Sequence, residues 1–253
     1  MKERREAQTP SVQAVILAAG KGTRMKSDLP KVLHRIEGRT LLDHVLDTAA
    51  AAGVDRCIAV VGHQAELVRE SCARSGLQFV TQEPQLGTGH AVQMAVPALE
   101  AAGFCLVLAG DVPLLRSTTL ARVIRRAAAG DASAVVLTCV VPDAGAYGRI
   151  IKDENGTVSA IVEARDATEA QREIGEYNTG VFCFRTTELI AALAALTPDN
   201  NQGEYYLTDT VSVLVAGGKR VVAEVCADPD EVVGINTAAE LEAAAGLLAA
   251  RKD

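Results

Sequence analysis

Between residues 17 and 31 the chain reads LAAGKGTRMKSDLPK, in which Gly20 and Gly22 are interspersed with Lys21, Arg24, Lys26 and Lys31. Glycines let a backbone approach an oxyanion closely, exposed N–H groups can cradle its oxygens, and the four cations can offset its charge. The chemistry this suggests is phosphate binding. Two familiar phosphate motifs do not fit: a P-loop and a dinucleotide fingerprint both need a further glycine where Met25 stands. On glycines and charge alone, the segment would equally suit a solvated loop between a strand and a helix.

The elements that must position this loop follow from hydrophobic patterning. Short apolar, β-branched runs occur at VQAVILAA (12–19), RCIAVVG (56–62), LQFVTQ (77–82), FCLVLAGD (104–111) and SAVVLTCVV (133–141). Helical patterns lie between them: TLLDHVLDTAAAAG with Gly53 as its stop, QAELVRESCARSG, GHAVQMAVPALEAAG, and STTLARVIRRAAAG with Ser117 as its natural cap. Strand and helix in alternation imply an α/β fold with a mostly parallel central sheet covered on both faces. Ligands in such sheets sit at the carboxyl ends of the strands. That places the loop after Ala19 and the dipeptide Gly110-Asp111 on one rim.

The rhythm then changes. Asn155-Gly156 between two alternating runs predicts a hairpin, YNTGVFCFR (177–185) and KRVVAEVC (219–226) predict strands, and TELIAALAAL, YYLTDTVSVLVAGG and a closing stretch from Thr237 predict helices. We expect a tail over 1–11 and one compact unit over 12–253. Within it a nucleotide-binding half (12–140) precedes a smaller, β-rich substrate-binding half (141–236) and a C-terminal helix (237–253).

Composition bounds the function. The chain has 253 residues, 49% of them hydrophobic, and no apolar run long enough to span a bilayer, so a soluble globular protein without membrane association is expected. With 25 Lys and Arg against 32 Asp and Glu, a net charge of -7 and only 3% aromatic residues, it lacks the basic face of a nucleic-acid binder. An anionic ligand must therefore be held by a local cluster of cations. The six cysteines form no CxxC pair and mostly lie in apolar runs, which suits core residues in a reducing cytoplasm. His34, His44, His63 and His90 suggest no catalytic arrangement and are expected to be structural or surface residues.

The loop pattern, a small-residue strand end followed by GxGTRM and then Pro30-Lys31, resembles the signature of the sugar-1-phosphate nucleotidyltransferases. In chain order there follow QEPQLGTGHA (82–91), AGDVPLL (109–115), YGRI (147–150), IVEARDAT (161–168), YNTGVF (177–182), NQGEYYLTD (201–209) and VGIN (233–236). The series is similar to the uridylyltransferase domain of the bacterial bifunctional N-acetylglucosamine-1-phosphate uridyltransferases, from about Val12 onward. The resemblance implies a Rossmann-like nucleotidyltransferase fold and a cytoplasmic, Mg2+-dependent reaction of UTP with N-acetylglucosamine 1-phosphate. The products would be UDP-N-acetylglucosamine, a precursor for peptidoglycan and lipopolysaccharide, and pyrophosphate.

Residue by residue, the resemblance makes Arg24 and Lys31 the catalytic cations. Leu17, Ala18, Ala19, Gly20, Gly22, Thr23, Gln82, Gly87, Thr88, Ala109 and Gly110 become nucleotide contacts, with the Gln82 amide suited to the donor–acceptor edge of uracil. Gly148, Glu163, Asn178 and Thr179 become sugar contacts, and Asp111 with Asn236 the metal ligands. Two departures stand out. The family commonly carries a larger, often aromatic residue at Ala109, and no hexapeptide repeats follow LLAARKD. Acetyltransferase activity is therefore not expected, and a monomer or weak oligomer is. A related enzyme using another sugar phosphate or nucleotide, or a non-catalytic sugar-nucleotide-binding module, are the alternatives.

Overall fold

The computed structural model describes residues 11–251; apart from Ser11, the expected tail lies outside them. The elements run β1 (Val12–Ala18), β2 (Arg35–Ile36), β3 (Arg39–Thr40), α1 (Leu41–Ala51), β4 (Arg56–Val61), α2 (Ala65–Cys72), β5 (Leu77–Thr81), α3 (Thr88–Ala95), β6 (Phe104–Ala109) and α4 (Ser117–Ala129). They continue as β7 (Ala134–Val140), β8 (Arg149–Lys152), β9 (Val158–Val162), α5 (Glu169–Arg172), β10 (Glu176–Arg185), α6 (Thr186–Ala194), α7 (Asp209–Ala216), β11 (Val221–Cys226) and α8 (Ala238–Ala250).

The main sheet has the order β11-β7-β10-β6-β1-β4-β5. All its neighbours are parallel except β10, which runs antiparallel to both β6 and β7. The continuous apolar runs of β1, β4, β6 and β7 are explained by burial on both faces. One face is packed by residues of α1, α2 and α4, including Leu42, Val45, Val68, Leu120 and Val123. The other is packed by α3, α6 and α7 through Val92, Leu189, Leu193, Val211 and Leu214. Helix α4 shows the pattern directly, burying Leu120, Val123, Ile124 and Ala127 at helical spacing. All six cysteines are free and buried, and burial pushes the thiols of Cys57 and Cys105 up to about 11 and about 12, so they act as small core residues.

The hairpin around Asn155-Gly156 is present as β8 and β9, and it joins the sheet where Arg149 pairs with Tyr177 at the start of β10. Strand β10 slips register between Asn178 and Val181, which leaves Thr179 and Gly180 (φ +81) in a bulge. Bulges bend a strand and re-aim its side chains. The β-rich part is thereby continuous with the central sheet.

Several local expectations differ from the fold. Helix α4 begins at Ser117 itself, Arg116 holds the cap position, and no side chain caps the helix. The Arg116 backbone N–H instead donates to Glu231 Oε2 at 3.3 Å. The run after His90 stops at Ala95 and tightens into a 3-10 turn containing Pro97, which cannot supply a helical N–H. Residues 205–207 are not helical because their backbone is spent on the start of α3: Tyr205 N donates to Leu86 O (2.8 Å), Gly89 N to Tyr205 O (2.7 Å), and Leu207 N to Thr88 Oγ1 (3.0 Å). The loop after β1 forms two short 3-10 turns, Thr23–Met25 and Lys31–Leu33, and then the β2–β3 hairpin.

That close docking gives opposite signs to the same substitution at two helical glycines. A Cβ at Gly89 would lie 2.7 Å from Leu196 Cδ1 and 2.9 Å from Tyr205 O, whereas one at Gly246 in α8 meets nothing within 4 Å. Gly246→Ala is expected to stabilise by up to about 1 kcal/mol through helix propensity, and Gly89→Ala to destabilise by about 1–3 kcal/mol through overpacking. Denaturant melts of the two variants check this; equal, stabilising shifts would contradict the docking described.

Candidate active site

Two cavities open at the carboxyl rim of the sheet and meet at Ala109 and Asp111. The first, about 400 Å³, is lined by the end of β1 (Leu17, Ala18, Ala19, Gly20), by Lys31 and Val32, by Gln82, Gln85, Gly87, Thr88 and Ala91 around the start of α3, and by Glu204. The second, about 350 Å³, is lined by Arg24, Val112, Ala146, Tyr147, Thr179, Val232, Gly234, Asn236 and Glu240.

The junction is held by charge. Lys31 Nζ pairs with Asp111 Oδ2 and donates to Asn236 Oδ1 at 2.9 Å, and Arg24 Nη2 donates to the same amide oxygen at 2.7 Å. The Lys31 and Asp111 side chains are each 17% exposed, so water screens the pair only in part. Asn236 is fixed from both ends: its Nδ2 donates to Gly234 O at 2.9 Å and its backbone N–H to Glu240 Oε2 at 2.6 Å. Glu240 also completes a capping box with Thr237 at the start of α8. Asp111 follows Gly110, where a side chain would be crowded, since a Cβ there would lie 3.0 Å from Leu17 O.

In the first cavity the Gln82 side chain is buried, with Nε2 donating to Gly87 O at 2.9 Å and standing 3.2 Å from His90 Nδ1. A carbonyl can only accept, so Nε2 must face it and Oε1 remains an acceptor without a protein partner among these contacts. Gly87 adopts φ +106 against the backbone of Tyr205, where a Cβ would come within 2.6 Å of the carbonyl oxygen. The Thr88 hydroxyl is already engaged by Leu207 N.

The residues expected to contact a sugar form a second group beside the bulge. Asn178 N donates to Gly148 O at 2.8 Å, Asn178 Oδ1 accepts from Gly180 N at 3.0 Å, and a Cβ at Gly148 would stand 3.5 Å from Glu163 Oε2. Thr208 Oγ1 donates to Glu163 Oε1 at 2.9 Å. Burial raises the Glu163 carboxyl above its ordinary range, the charges of Asp209 and Asp166 add to this, and the Thr208 hydroxyl acts the other way. In the lining of the second cavity the Tyr147 ring stacks on Tyr177 with centroids 4.7 Å apart, and burial pushes its phenol up as well.

The expected residues are thus divided among three places. Leu17, Ala18, Ala19, Gly20, Lys31, Gln82, Gly87, Thr88, Ala109 and Asp111 line the first cavity; Arg24, Thr179 and Asn236 line the second together with Ala109 and Asp111; Gly148, Glu163 and Asn178 adjoin one another. Gly22, Thr23 and Gly110 line neither cavity. Gly22 (φ +64) packs on Lys31, whose Cβ would lie 2.6 Å from a Cβ at position 22. The Thr179 side chain turns into the sheet, Oγ1 donating to Leu137 O at 2.7 Å. Sequence reasoning missed Val32, Gln85, Glu204, Tyr147 and Glu240 as lining residues, and His90 as a partner of Gln82. Four of the six lie inside motifs already quoted, but no residue type there signals which side chain turns inward. Among the described residues no cluster of three or more His, Cys, Asp or Glu side chains could hold a metal. No helix among them is long and apolar enough to cross a membrane.

The model of the MobA-like NTP transferase domain matches residues 14–209. The chain is 50% identical to the Bifunctional protein GlmU of Paracidovorax citrulli over 248 residues, covering 95% of this chain and 52% of that protein. It is 47% identical to the Bifunctional protein GlmU of Brevibacillus brevis over 234 residues (92% and 50%) and 44% identical to that of Lactococcus lactis subsp. cremoris over 239 residues (94% and 52%). The chain spans about half the length of the curated relatives it matches.

The raised Glu163 carboxyl has a measurable consequence. Because the folded protein holds this proton more tightly than the unfolded chain, the ionised carboxylate subtracts from stability, and the loss sets in as pH rises from the ordinary carboxylate range through the raised value. Glu163→Gln keeps an acceptor for Thr208 and removes the charge. The variant is expected to be more stable than the parent at neutral pH, with the difference shrinking on acidification. Paired denaturant melts between about pH 4 and about pH 8 test this, and a pH-independent difference would contradict it.

Proposed function

The chain belongs to the MobA-like NTP transferase domain family, and from that membership we propose that it transfers the uridylyl group of UTP to N-acetylglucosamine 1-phosphate, releasing pyrophosphate. The observation that carries this reading is the meeting of two cavities at Asp111, where the cations Lys31 and Arg24 converge on Asn236. One cavity suits a nucleotide and the other the phosphate end of a sugar phosphate.

The reaction needs no general base. A sugar 1-phosphate is largely a dianion at neutral pH, with a second ionisation near about 6, so its oxygen can attack the α-phosphorus directly. One P–O bond forms, the α–β P–O bond breaks in line with it, and pyrophosphate carries away the electron pair. The obstacle is repulsion between anions, which positioned cations relieve. Lys31 lies where it can meet the α-phosphate and the attacking oxygen together, and Arg24 approaches from the second cavity. The Gln82 acceptor Oε1 complements the N3–H of uracil, whereas cytosine offers only a lone pair at N3. At the far end, Glu163 would accept from a sugar hydroxyl beside Gly148 and Asn178.

Two hard oxygen donors, Asp111 Oδ2 and Asn236 Oδ1, are turned toward one point that already takes the Lys31 ammonium. That donor set fits Mg2+, which binds through one or two protein oxygens and fills its shell with water and phosphate. Asp111 and Asn236 would hold it, and the ion would supply charge neutralisation at the phosphates.

Pyrophosphate release across UTP, TTP, CTP, ATP and GTP, each with N-acetylglucosamine 1-phosphate and glucose 1-phosphate, tests the substrate assignment. UTP with N-acetylglucosamine 1-phosphate is expected to be the best pair, and another optimum would redirect the reading. Asp111→Ala and Lys31→Ala are each expected to lower kcat/KM by at least about 10²–10³-fold with the fold retained. Turnover that persisted unchanged in Asp111→Ala would remove the charge-based mechanism.

A further inference from the structure

Beyond the first cavity, on the same rim, lies another of about 420 Å³ lined by Lys21, Gly62, His63, Glu83 and Pro84 among others. Only Gln82 and Gln85 line both spaces. Gln82 is 5% exposed and tied to Gly87 and His90, so it belongs to the fixed floor between them. Gln85 is different: the residue is exposed, and its side chain reaches across the rim, where Nε2 donates to Ala19 O.

The seat of that amide is tight. A side chain at Gly62, just after β4, would push that amide aside, because a Cβ would lie 2.5 Å from Gln85 Nε2, the movable end of its chain, and 3.0 Å from the Ala19 Cβ. The Ala19 carbonyl also accepts from His63 N at 3.3 Å, so the ends of β1 and β4 are joined at the spot on which the amide rests. Gln85 therefore closes the gap between two cavities of similar size with one hydrogen bond and one steric fit.

We propose that Gln85 is a specificity-determining residue: its side chain is the wall that restricts the base end of the first cavity to a single-ring base. This rests on the reading that the Gln82–Gly87 end of that cavity receives uracil. A purine is longer by a fused five-membered ring. With the wall in place, that extra ring has no space beyond Gln85; without it, the neighbouring cavity is open, and its polar lining of Lys21, His63 and Glu83 offers partners for ring nitrogens and exocyclic groups.

Two substitutions remove the wall from opposite sides. Gln85→Ala deletes it, and Gly62→Ala dislodges it through a residue that does not line the first cavity. In each, the ratio of kcat/KM for ATP or GTP to that for UTP, with N-acetylglucosamine 1-phosphate as acceptor, is expected to rise by about 10–100-fold, the range a pocket wall contributes to discrimination. Binding of ADP and GDP, followed by calorimetry without the sugar phosphate, should strengthen in the same direction relative to UDP. Thermal melts identify which variants remain folded. An unchanged ratio and unchanged binding preference in any folded variant would overturn the wall. A parent protein that does not prefer uridine nucleotides at all would instead defeat the base assignment, leaving the two failures distinguishable.

Discussion

The Lys31 ammonium is shared by the Asp111 carboxylate and the Asn236 amide oxygen, and this sharing draws three distant stretches of chain to one point. With both side chains of the ion pair largely shielded from water, losing either partner costs more than breaking an exposed pair, so the contact favours the joint arrival of the three stretches. Their arrival dictates backbone choices nearby. The loop after β1 passes so close to Lys31 that position 22 tolerates no Cβ, and the end of β6 runs so close to Leu17 that position 110 hardly does. The Ile235 N–H donating to the Asp111 carbonyl at 2.9 Å brings the third stretch alongside. The capping box of α8 then anchors it, through Glu240, at the residue whose side chain faces the ammonium.

The same arrangement explains why so acidic a chain can present cations to a phosphate. Lys31 and Arg24 are each held by the Asn236 amide oxygen at the cavity junction. On the proposed function, phosphate oxygens would take the place of such acceptors with little reorganisation, which is the condition under which fixed charges lower a barrier most. Lys31 also lines the first cavity, so its ammonium already borders the space assigned to the nucleotide.

How much of this was legible in the residues depends on what each one answers to. The apolar runs, the hairpin at Asn155-Gly156 and the stop at Gly53 answer to local rules, and the fold follows them. The antiparallel insertion of β10 between β6 and β7 answers to pairing between strands far apart in sequence, which no local pattern encodes. The residues YYL carry a helical pattern but spend their backbone on the start of α3, where tertiary contact overrides propensity. In the phosphate loop, the positive φ of Gly22 and its contact with Lys31 serve the packing of the loop itself, which residue type alone does not signal. Gly20 lines the first cavity, and its missing side chain faces open space.

Charge is also divided between the cavity junction and the bulge of β10. At the junction the cations Lys31 and Arg24 converge; beside the bulge stand carboxylates, with Glu163 and Asp209 both raised by burial and both facing the field of Asp166. A phosphate is drawn toward the first and repelled by the second, while a sugar hydroxyl donates to the second. A buried carboxylate with one hydroxyl donor is an under-supplied acceptor, costly to the empty protein and relieved by a ligand that donates to it. On the function proposed above, a sugar phosphate would bind in one direction, because reversing it would strand a phosphate among carboxylates and leave Lys31 and Arg24 facing hydroxyls.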